Sequence, residues 1–356
     1  MDAPESIVRH RFFSIESWEK LGDWLNNGLV ILLLVLYLFP IVFMASTAFM
    51  GADQLRDRNA PVYPAVHVTY DYQGQAAPVY YVPGPTGERQ LALVTAGRTS
   101  SEFVDPQNAT GGLIHWDGSW RTLKGVYKFQ ITLDNFKILA ANVRLPQMLW
   151  NTVLAATVSG FAVIVSSIVV AYGFSRFKLP GGDLLYYVLI ATLLIPDKVT
   201  LIPTYFFFVR VLHWNSSWLP ILVPFLFGNA VYIFLLRQNF KSVPREMEEA
   251  AMLDGAGPLR TLFQVVLPQS WPVVITISLL HFFYIWNETR QVSLYLSTQL
   301  DQAPISFGVQ QFQSLVSAGN VLQAGAIVVM IVPIVVLFVS QRFFMRSLVI
   351  TGVEKI

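Results

Sequence analysis

Residues 244–258 read Pro244-Arg-Glu-Met-Glu-Glu-Ala-Ala-Met-Leu-Asp-Gly255-Ala-Gly-Pro258, a polar segment that lies between two long apolar runs. A proline fits the first turn of a helix, and carboxylates favour its N-terminal half, so a short helix is predicted to begin near Pro244. Gly255 stands where such a helix takes a left-handed residue at its end. Pro258 then predicts a second short helix, and the two helices form an elbow.

The predicted first helix has a shallow face, because Met247, Ala250 and Ala251 share that face at helical spacing. A groove on a soluble partner can therefore approach the helix backbone closely. The second helix carries an apolar side made of Leu259, Leu262, Phe263 and Val266. The pattern alone leaves another interpretation open, an amphipathic loop that lies on a bilayer surface.

The composition indicates a membrane protein. The chain is 54% hydrophobic and 13% charged, and its mean hydropathy is +0.51. It contains no cysteine, which excludes disulfides, thiolate metal sites and a cysteine nucleophile. A net charge of +2 gives no argument for binding nucleic acid.

Six stretches are long enough to cross a bilayer, which takes about 20 residues of helix. Five carry no charged residue, and the third is interrupted by Asp197 and Lys198. The stretches cover residues 24–52, 145–175, 184–209, 211–236, 261–287 and 302–341. We therefore predict an all-α polytopic membrane protein with six transmembrane helices and a small β-rich extracytoplasmic insertion between the first two.

The predicted layout has five parts. They are a cytoplasmic or interfacial N-terminal helix (1–28), the first span (29–50), the insertion (51–148), the transmembrane core (149–345) with the elbow loop 237–268, and a cytoplasmic tail (346–356). Within the insertion, 66–72 alternate like a strand, 79–94 predict a hairpin around a Pro-Gly turn, and 129–132 are another strand candidate.

The distribution of Lys and Arg predicts the orientation. The two short loops assigned to the outside, 210–217 and 289–320, carry only Arg210 and Arg290, whereas basic residues gather on the segments assigned to the inside. This asymmetry predicts cytoplasmic N- and C-termini and a cytoplasmic elbow.

Several motifs occur in an order that resembles one family. Glu249-Ala250-Ala251, Asp254-Gly255-Ala256 and Leu267-Pro268 resemble the EAA loop of permease subunits in binding-protein-dependent ABC importers. The carbohydrate-uptake branch, which includes the smaller maltose permease subunit, is also matched by Asn151-Thr152, 171–176, Ile195-Pro196, 201–203, Trp286-Asn287-Glu288 and 341–344. The resemblance covers about residues 130–356 and the first span, but not 52–130.

The resemblance implies a non-catalytic transport subunit of the bacterial cytoplasmic (inner) membrane that imports a sugar or related solute. Its partners would be a second permease, two cytoplasmic ABC ATPase subunits that bind ATP and Mg, and an extracytoplasmic solute-binding protein. The residues that couple the chain to the ATPase would be Glu248, Glu249, Ala250, Ala251, Asp254 and Gly255.

Catalytic signatures are absent from the sequence. It has no Gly-x-x-x-x-Gly-Lys-Ser/Thr phosphate loop, no His-Glu-x-x-His, and no histidine pattern with metal-ligand spacing. We therefore expect no cofactor or metal on this chain and ATP hydrolysis on another subunit.

Candidate residues for the substrate path are Gly228, Asn229, Tyr284, Trp286, Asn287 and Glu288. An aromatic ring beside amide and carboxylate groups suits a sugar, although Trp and Tyr also anchor helices at membrane interfaces. Gly228 also fits close helix packing.

Two questions stay open from the sequence. The insertion either helps to dock the external binding protein or has no direct role. The whole chain has an alternative function in a different class, a membrane sensor whose external domain binds a ligand and whose cytoplasmic loop signals to a soluble partner. That alternative explains the insertion but not the motifs in the later spans.

Overall fold

The chain divides into two compact units, Met1–Asn135 and Phe136–Ile356. The structure, a computed structural model, describes residues 15–84, 87–108, 111–315 and 319–352. Residues 1–14 of the predicted N-terminal helix and 353–356 of the predicted tail lie outside the described residues. Residues 136–148, which the sequence assigns to the insertion, belong to the second unit.

The first unit contains a long helix, a short helix and a β-rich insertion. The described elements are α1 (Ile15–Ala48), α2 (Ala52–Arg56), β1 (Ala65–His67), β2 (Thr69–Tyr72), β3 (Gln75–Gly84), β4 (Gly87–Thr95), β5 (Ser100–Val104), β6 (Ile114–Asp117), β7 (Lys124–Gly125) and β8 (Tyr127–Phe129). Strands β1 and β8 form an antiparallel pair, and the larger sheet has the order β2-β3-β4-β5-β6, with β7 also paired to β3. The predicted β-rich insertion is confirmed.

The predicted hairpin is the centre of the larger sheet. Strands β3 and β4 pair with Val79 opposite Ala92 and Tyr80 opposite Leu91. Because side chains alternate along a strand, Val79 and Tyr80 face opposite sides, and both sides have a buried apolar cluster. The predicted strand 66–72 is instead divided between two sheets at Val68, whose amide donates to the Val126 carbonyl between β7 and β8 and whose carbonyl accepts the Val79 amide of β3.

The second unit is helical. Its described helices are α3 (Asp134–Asn142, which spans the unit boundary), α4 (Leu145–Arg176), α5 (Gly182–Ala191), α6 (Asp197–Phe206), α7 (Leu219–Leu222), α8 (Ala230–Ser242), α9 (Arg245–Leu253), α10 (Pro258–Thr261), α11 (Leu267–Gln269), α12 (Trp271–Trp286), α13 (Arg290–Tyr295), α14 (Ile305–Leu315) and α15 (Gly319–Gly352). Short 3₁₀ turns and two π-helical segments, Phe207–Val211 and Leu262–Val266, connect some of them.

Four helical segments of the described chain are long and apolar enough to span a membrane. They are Gly22–Ala48, Leu145–Arg176, Leu219–Ser242 and Gly319–Phe343. Two further apolar segments are strongly bent, Gly182–Leu194 with Asp197–Val211 by 98° and Pro258–Gln269 with Trp271–Trp286 by 81°. The described residues therefore contain four to six candidate spans, and the predicted count of six requires each bent pair to be one span.

The two bends have local causes. At the first, Ile195 precedes Pro196, which disfavours helical backbone, and Ile195 is extended with ψ 115°. The arm Gly182–Leu194 has about 20 Å of helix, too little for a hydrocarbon core of about 30 Å. At the second, Pro268 and Pro272 flank the buried Ser270 and remove amide donors from the helical ladder.

The predicted span 302–341 is corrected. Residues Ile305–Leu315 form the separate helix α14, and the candidate span is Gly319–Phe343. Ile305, Phe307 and Phe312 of α14 are buried in a core cluster with residues of α12 and α15. An apolar sequence does not distinguish a short helix buried in protein from a helix that faces lipid. The sequence therefore predicts α14 and the last span as one continuous span.

Helix α4 is central to the second unit. Its residues share one buried cluster with α8 and α12, including Val163, Ile233 and Ile277. It also makes polar contacts along its length, since Thr152 accepts a bond from the Ile305 amide and Ser167 accepts one from the Asn229 amide. A displacement of α4 would therefore involve most of the helices around it.

Candidate functional site

The elbow adopts the conformation that its sequence predicts. Helix α9 ends with the Gly255 amide bonded to the Met252 carbonyl (3.0 Å) and the Ala256 amide bonded to the Ala251 carbonyl (2.9 Å). This pair of bonds is the Schellman arrangement, which needs a left-handed residue between the two amides. Gly255 has φ +79°, as that position requires. Pro244 lies one residue before the helix, at its N-cap.

The second arm of the elbow is also helical and begins at Pro258 as predicted. Its apolar residues do not share one face, however. Leu262 and Val266 are buried, whereas Leu259 and Phe263 are exposed, because the segment from Leu262 to Val266 winds as a π-helix and changes the angular spacing.

Exposed residues of both arms form one feature, which we call the elbow surface. It consists of Met247, Glu249, Ala250, Met252, Leu253, Asp254, Gly255, Leu259 and Phe263. Leu253 is 90% exposed, and a Cβ added at Gly255 would meet nothing within 4 Å. A small, partly apolar helix end that projects into open space suits docking into a groove.

Glu248 is not part of the elbow surface, which corrects its prediction as a contact residue. Its side chain is 5% exposed and pairs with Arg176, whose side chain is 9% exposed. Adjacent residues of a helix point about 100° apart, so Glu248 turns into the protein while Glu249 stays exposed, and the two carboxylates have different surroundings. Its contribution to the site is to fix the position of α9.

Arg176 joins three elements at one point. Besides Glu248 of α9, its Nη2 donates to the carbonyls of Phe240 (2.7 Å) and Val243 (3.1 Å), at the end of α8. Arg176 is itself the last residue of α4. The ends of α4 and α8 are therefore tied to the elbow by charge-assisted hydrogen bonds in a buried place, where such bonds are strong.

A second buried arginine strengthens the same region. Arg237 of α8 donates from Nε to the Phe174 carbonyl (3.2 Å) and lies over the Tyr186 ring at 3.8 Å from its centroid. In the sequence, Arg176 is the last residue of the motif 171–176, Arg237 is the first residue of the elbow loop 237–268, and both are basic residues that indicate orientation. Their position at the ends of apolar runs was the available signal, but nothing in the sequence paired Arg176 with Glu248 or Arg237 with Phe174 and Tyr186.

The candidate substrate-path residues have mixed surroundings. Gly228 has φ +83°, and Asn229 caps α8 by accepting bonds from the Val231 and Tyr232 amides. A Cβ at Gly228 would come within 3.4 Å of Ser167 on α4. Both residues therefore shape the break that precedes α8, and Gly228 faces a neighbouring helix at close range.

Trp286 needs correction as a substrate residue. Its side chain is 1% exposed, and its Nε1 donates to the Val329 carbonyl of α15 at 3.1 Å. The Trp286 carbonyl accepts the Ser306 hydroxyl of α14. Trp286 thus holds α12, α14 and α15 together and cannot stack on a sugar from that position.

Glu288 also has a structural contact, while its neighbours remain accessible. The buried Glu288 carboxylate accepts a bond from the Gln291 amide in the first turn of α13. Tyr284, which is 41% exposed, accepts a bond from the Gln291 side-chain amide at 3.4 Å. Asn287 is exposed and donates to the Phe283 carbonyl. Tyr284 and Asn287 are the members of the set that a solute could reach.

Asn151 and Thr152, which form one of the sequence motifs, connect α4 to the segment that precedes and begins α14. Asn151 donates from Nδ2 to the carbonyls of Asp301 (2.9 Å) and Ala303 (3.2 Å), next to the Thr152 contact with Ile305. On the same helix, Ser159 bonds to the buried His281 of α12 at 2.8 Å. Within the part of the chain that the structure describes, no group of His, Cys, Asp or Glu is arranged to hold a metal ion.

Bent and straight apolar helices around α4, with an exposed elbow between two of them, indicate a polytopic membrane protein. The sequence profile of the family "binding-protein-dependent transport system inner membrane component" matches residues 162–350, which include the elbow. The chain belongs to that family and is a permease component of a binding-protein-dependent transport system.

Two relatives agree with this assignment, and one solved structure shares the fold. The osmoprotective compounds uptake permease protein of Synechocystis sp. is 28% identical over 244 residues, which are 67% of this chain and 80% of the relative. The sn-glycerol-3-phosphate transport system permease protein of Pectobacterium atrosepticum is 31% identical over 208 residues, 57% of this chain and 72% of the relative. A crystal structure of a bacterial ABC transporter that imports alginate shares the fold, with a TM-score of 0.62, 19% identity, and coverage of 94% of this chain and 99% of that chain.

Proposed function

We propose that this chain is a permease subunit of an ATP-driven importer and that its elbow receives force from cytoplasmic ATPase subunits. One observation carries the proposal: the exposed elbow is fixed to the spanning helices by the buried contacts of Arg176 with Glu248, Phe240 and Val243. A load on the elbow surface therefore reaches α4 and α8 directly instead of being absorbed by a flexible loop.

The proposed mechanism is alternating access by rigid-body motion. When the ATPase subunits close, the groove that holds α9 moves, and the elbow moves with it. Because α8 enters the elbow and α12 leaves it, the bundle around α4 tilts and the solute cavity changes the side to which it opens. Packed helices transmit such a motion because a close-packed interior resists compression.

Nucleotide chemistry belongs to the partner subunits in this proposal. The sequence lacks a phosphate-binding loop, so ATP and Mg would bind to the ATPase subunits alone. On this chain, Glu249, Ala250, Ala251, Asp254 and Gly255 would contact the ATPase, and Glu248 would hold those residues in position.

The proposed cargo is a sugar or a related polyhydroxy solute delivered by an extracytoplasmic binding protein. Similar proteins support this class, since they include an sn-glycerol-3-phosphate transport permease and a transporter involved in the import of the polysaccharide alginate. Tyr284 and Asn287 are the proposed contacts on this chain, because an aromatic face packs on C–H groups and an amide bonds to hydroxyls.

The remaining parts of the proposal are a second permease subunit beside this one, cytoplasmic termini, and an insertion on the outer side that helps to dock the binding protein. The distribution of Lys and Arg supports the orientation. The sensor hypothesis gains no support from the relatives, which are transport proteins.

The orientation can be tested by thiol labelling, because the chain has no cysteine of its own. We expect a membrane-impermeant maleimide to label Leu253→Cys in inside-out vesicles but not in intact spheroplasts, since Leu253 is the most exposed apolar residue of the elbow surface. Glu88→Cys, on the exposed start of β4, is the matched control and should label with the opposite preference. Labelling of Leu253→Cys from outside would exclude the proposed function.

A further inference from the structure

The place where α1 ends is tied to two segments of the insertion. The Ala48 and Met50 carbonyls both accept bonds from the buried Asn135 side chain, at 2.7 and 2.8 Å. The Thr132 amide donates to the Phe49 carbonyl at 3.1 Å, and the Ser46 hydroxyl donates to the Val62 carbonyl at 2.8 Å. Segments around residues 62 and 132 are thus fixed at the last turn of α1.

A buried glutamine fixes the first of these segments further. Gln54 is 5% exposed, and its amide donates to the carbonyls of Pro61 (2.8 Å) and Tyr63 (2.7 Å) while its oxygen accepts the Ala65 amide (3.0 Å). With all of these bonds satisfied, the segment has a defined position relative to α1.

Apolar side chains project from both segments into open space. We call Val62, Tyr63, Phe129, Ile131 and Leu133 the juxtamembrane patch; they are between 49% and 75% exposed. The Tyr63 and Phe129 rings lie 6.4 Å apart, so the two segments contribute to one surface. Phe129, Ile131 and Leu133 alternate with the polar Gln130 and Thr132, as residues on one side of an extended chain do.

The length of α1 places this patch at the membrane. The span Gly22–Ala48 has 27 residues, which make about 40 Å of helix against a hydrocarbon core of about 30 Å. A span of this length that is centred in the core extends about 5 Å beyond it at each end, which places the last turn in a headgroup zone about 5–7 Å thick. Residues bonded to Phe49 and Ser46 lie within one side-chain length of that zone.

We infer that the juxtamembrane patch is a lipid-binding surface that inserts into the headgroup and upper acyl region of the leaflet at the end of α1. The observation that selects lipid as the occupant is proximity: the exposed apolar surface of α1 reaches Phe43, and the two patch segments are hydrogen-bonded to Ser46 and Phe49, within the next two turns of chain. Aromatic residues such as Tyr63 and Phe129 favour this zone. The inference does not depend on the proposed function, because it needs only that α1 spans the bilayer.

Lipid contact would give the insertion a fixed tilt on the membrane. A domain that is attached to the membrane by a single helix can rotate about the helix axis and tilt. A second membrane contact at the juxtamembrane patch would restrict both motions. The sheet of the insertion would then present a constant face to an external partner.

The test uses single-cysteine variants labelled with an environment-sensitive fluorophore, in the full assembly reconstituted in nanodiscs. The Ile131→Cys and Leu133→Cys labels should lose fluorescence when the lipids carry bromine near the headgroup, and soluble iodide should quench them little. The control label at Glu88→Cys, which is exposed on β4, should respond to iodide and not to the brominated lipid.

Two outcomes would overturn the inference. Quenching of the Ile131 and Leu133 labels by iodide alone would show that the patch faces water. Protection from both quenchers would show that another protein chain covers it. If one variant fails to fold, the other position decides, because both side chains lie on the same side of the extended segment.

Discussion

Gly255→Asp is expected to abolish transport while leaving the chain folded and inserted in the membrane. A non-glycine residue with φ near +79° costs about 1–2 kcal/mol, which a bundle of this size tolerates. Since nothing lies within 4 Å of a Cβ at Gly255, the new side chain fits this chain. It would collide only with a partner docked on the elbow surface, and it would bring a negative charge there. Solute uptake in proteoliposomes and the amount of inserted chain measure the two effects.

The matched control for this variant is Gly181→Asp. Gly181 has φ +68°, also has no neighbour within 4 Å of a Cβ, and precedes α5 in the same unit. The backbone strain is therefore equivalent, but the residue lies outside the elbow surface, so uptake should continue. Equal loss of uptake in both variants would mean that strain, and not docking at the elbow, stops transport.

Breaking the Arg176–Glu248 pair is expected to uncouple the elbow from the bundle. Removal of one partner leaves a buried charge without compensation, which costs about 3–5 kcal/mol. Glu248→Gln should therefore lower the thermal stability of the purified chain and stop uptake, while the partner ATPase subunits continue to hydrolyse ATP. Arg176→Met should lower the thermal stability further, because the Phe240 and Val243 carbonyls also lose their hydrogen-bond donor.

The double variant identifies the pair as the cause. The double variant Arg176→Met/Glu248→Gln should lose less free energy of unfolding than the two single variants together. The difference should be about 0.5–3 kcal/mol, the range for residues in direct contact. Glu246→Gln is the matched control, since Glu246 is an exposed carboxylate on the same helix. This variant should change the free energy of unfolding by less than about 1 kcal/mol. Additive effects of the two single changes would show that the residues act separately.

Local sequence chemistry was sufficient for the elbow. Gly255 and Pro258 act through backbone preferences that hold whatever surrounds them, so the helix end and the start of the second arm follow from the sequence. The hairpin of β3 and β4 follows likewise from alternation around a Pro-Gly turn. Composition and hydrophobic run length were also enough to predict a helical membrane protein.

Contacts between distant segments were not predictable. Glu248 and Glu249 are equivalent in the sequence, and only the position of Arg176 distinguishes the buried one from the exposed one. Trp286 has the sequence surroundings of an interfacial or sugar-binding residue, but its indole is paired with the Val329 carbonyl of α15. Helix α14 and the last span are both apolar, but for different reasons: α14 is buried in protein, and the last span faces lipid. Their sequences therefore do not separate them.

The most direct test of the proposed coupling is photo-crosslinking from position 253 in the purified full assembly. A photoreactive residue in place of Leu253, which is 90% exposed at the end of α9, should form a covalent adduct with the nucleotide-hydrolysing subunit. The same residue in place of Glu88, on the insertion, should not. Adducts of position 253 with lipid alone, or with an extracytoplasmic protein, would contradict the claim that the elbow is where the force of ATP hydrolysis enters this chain.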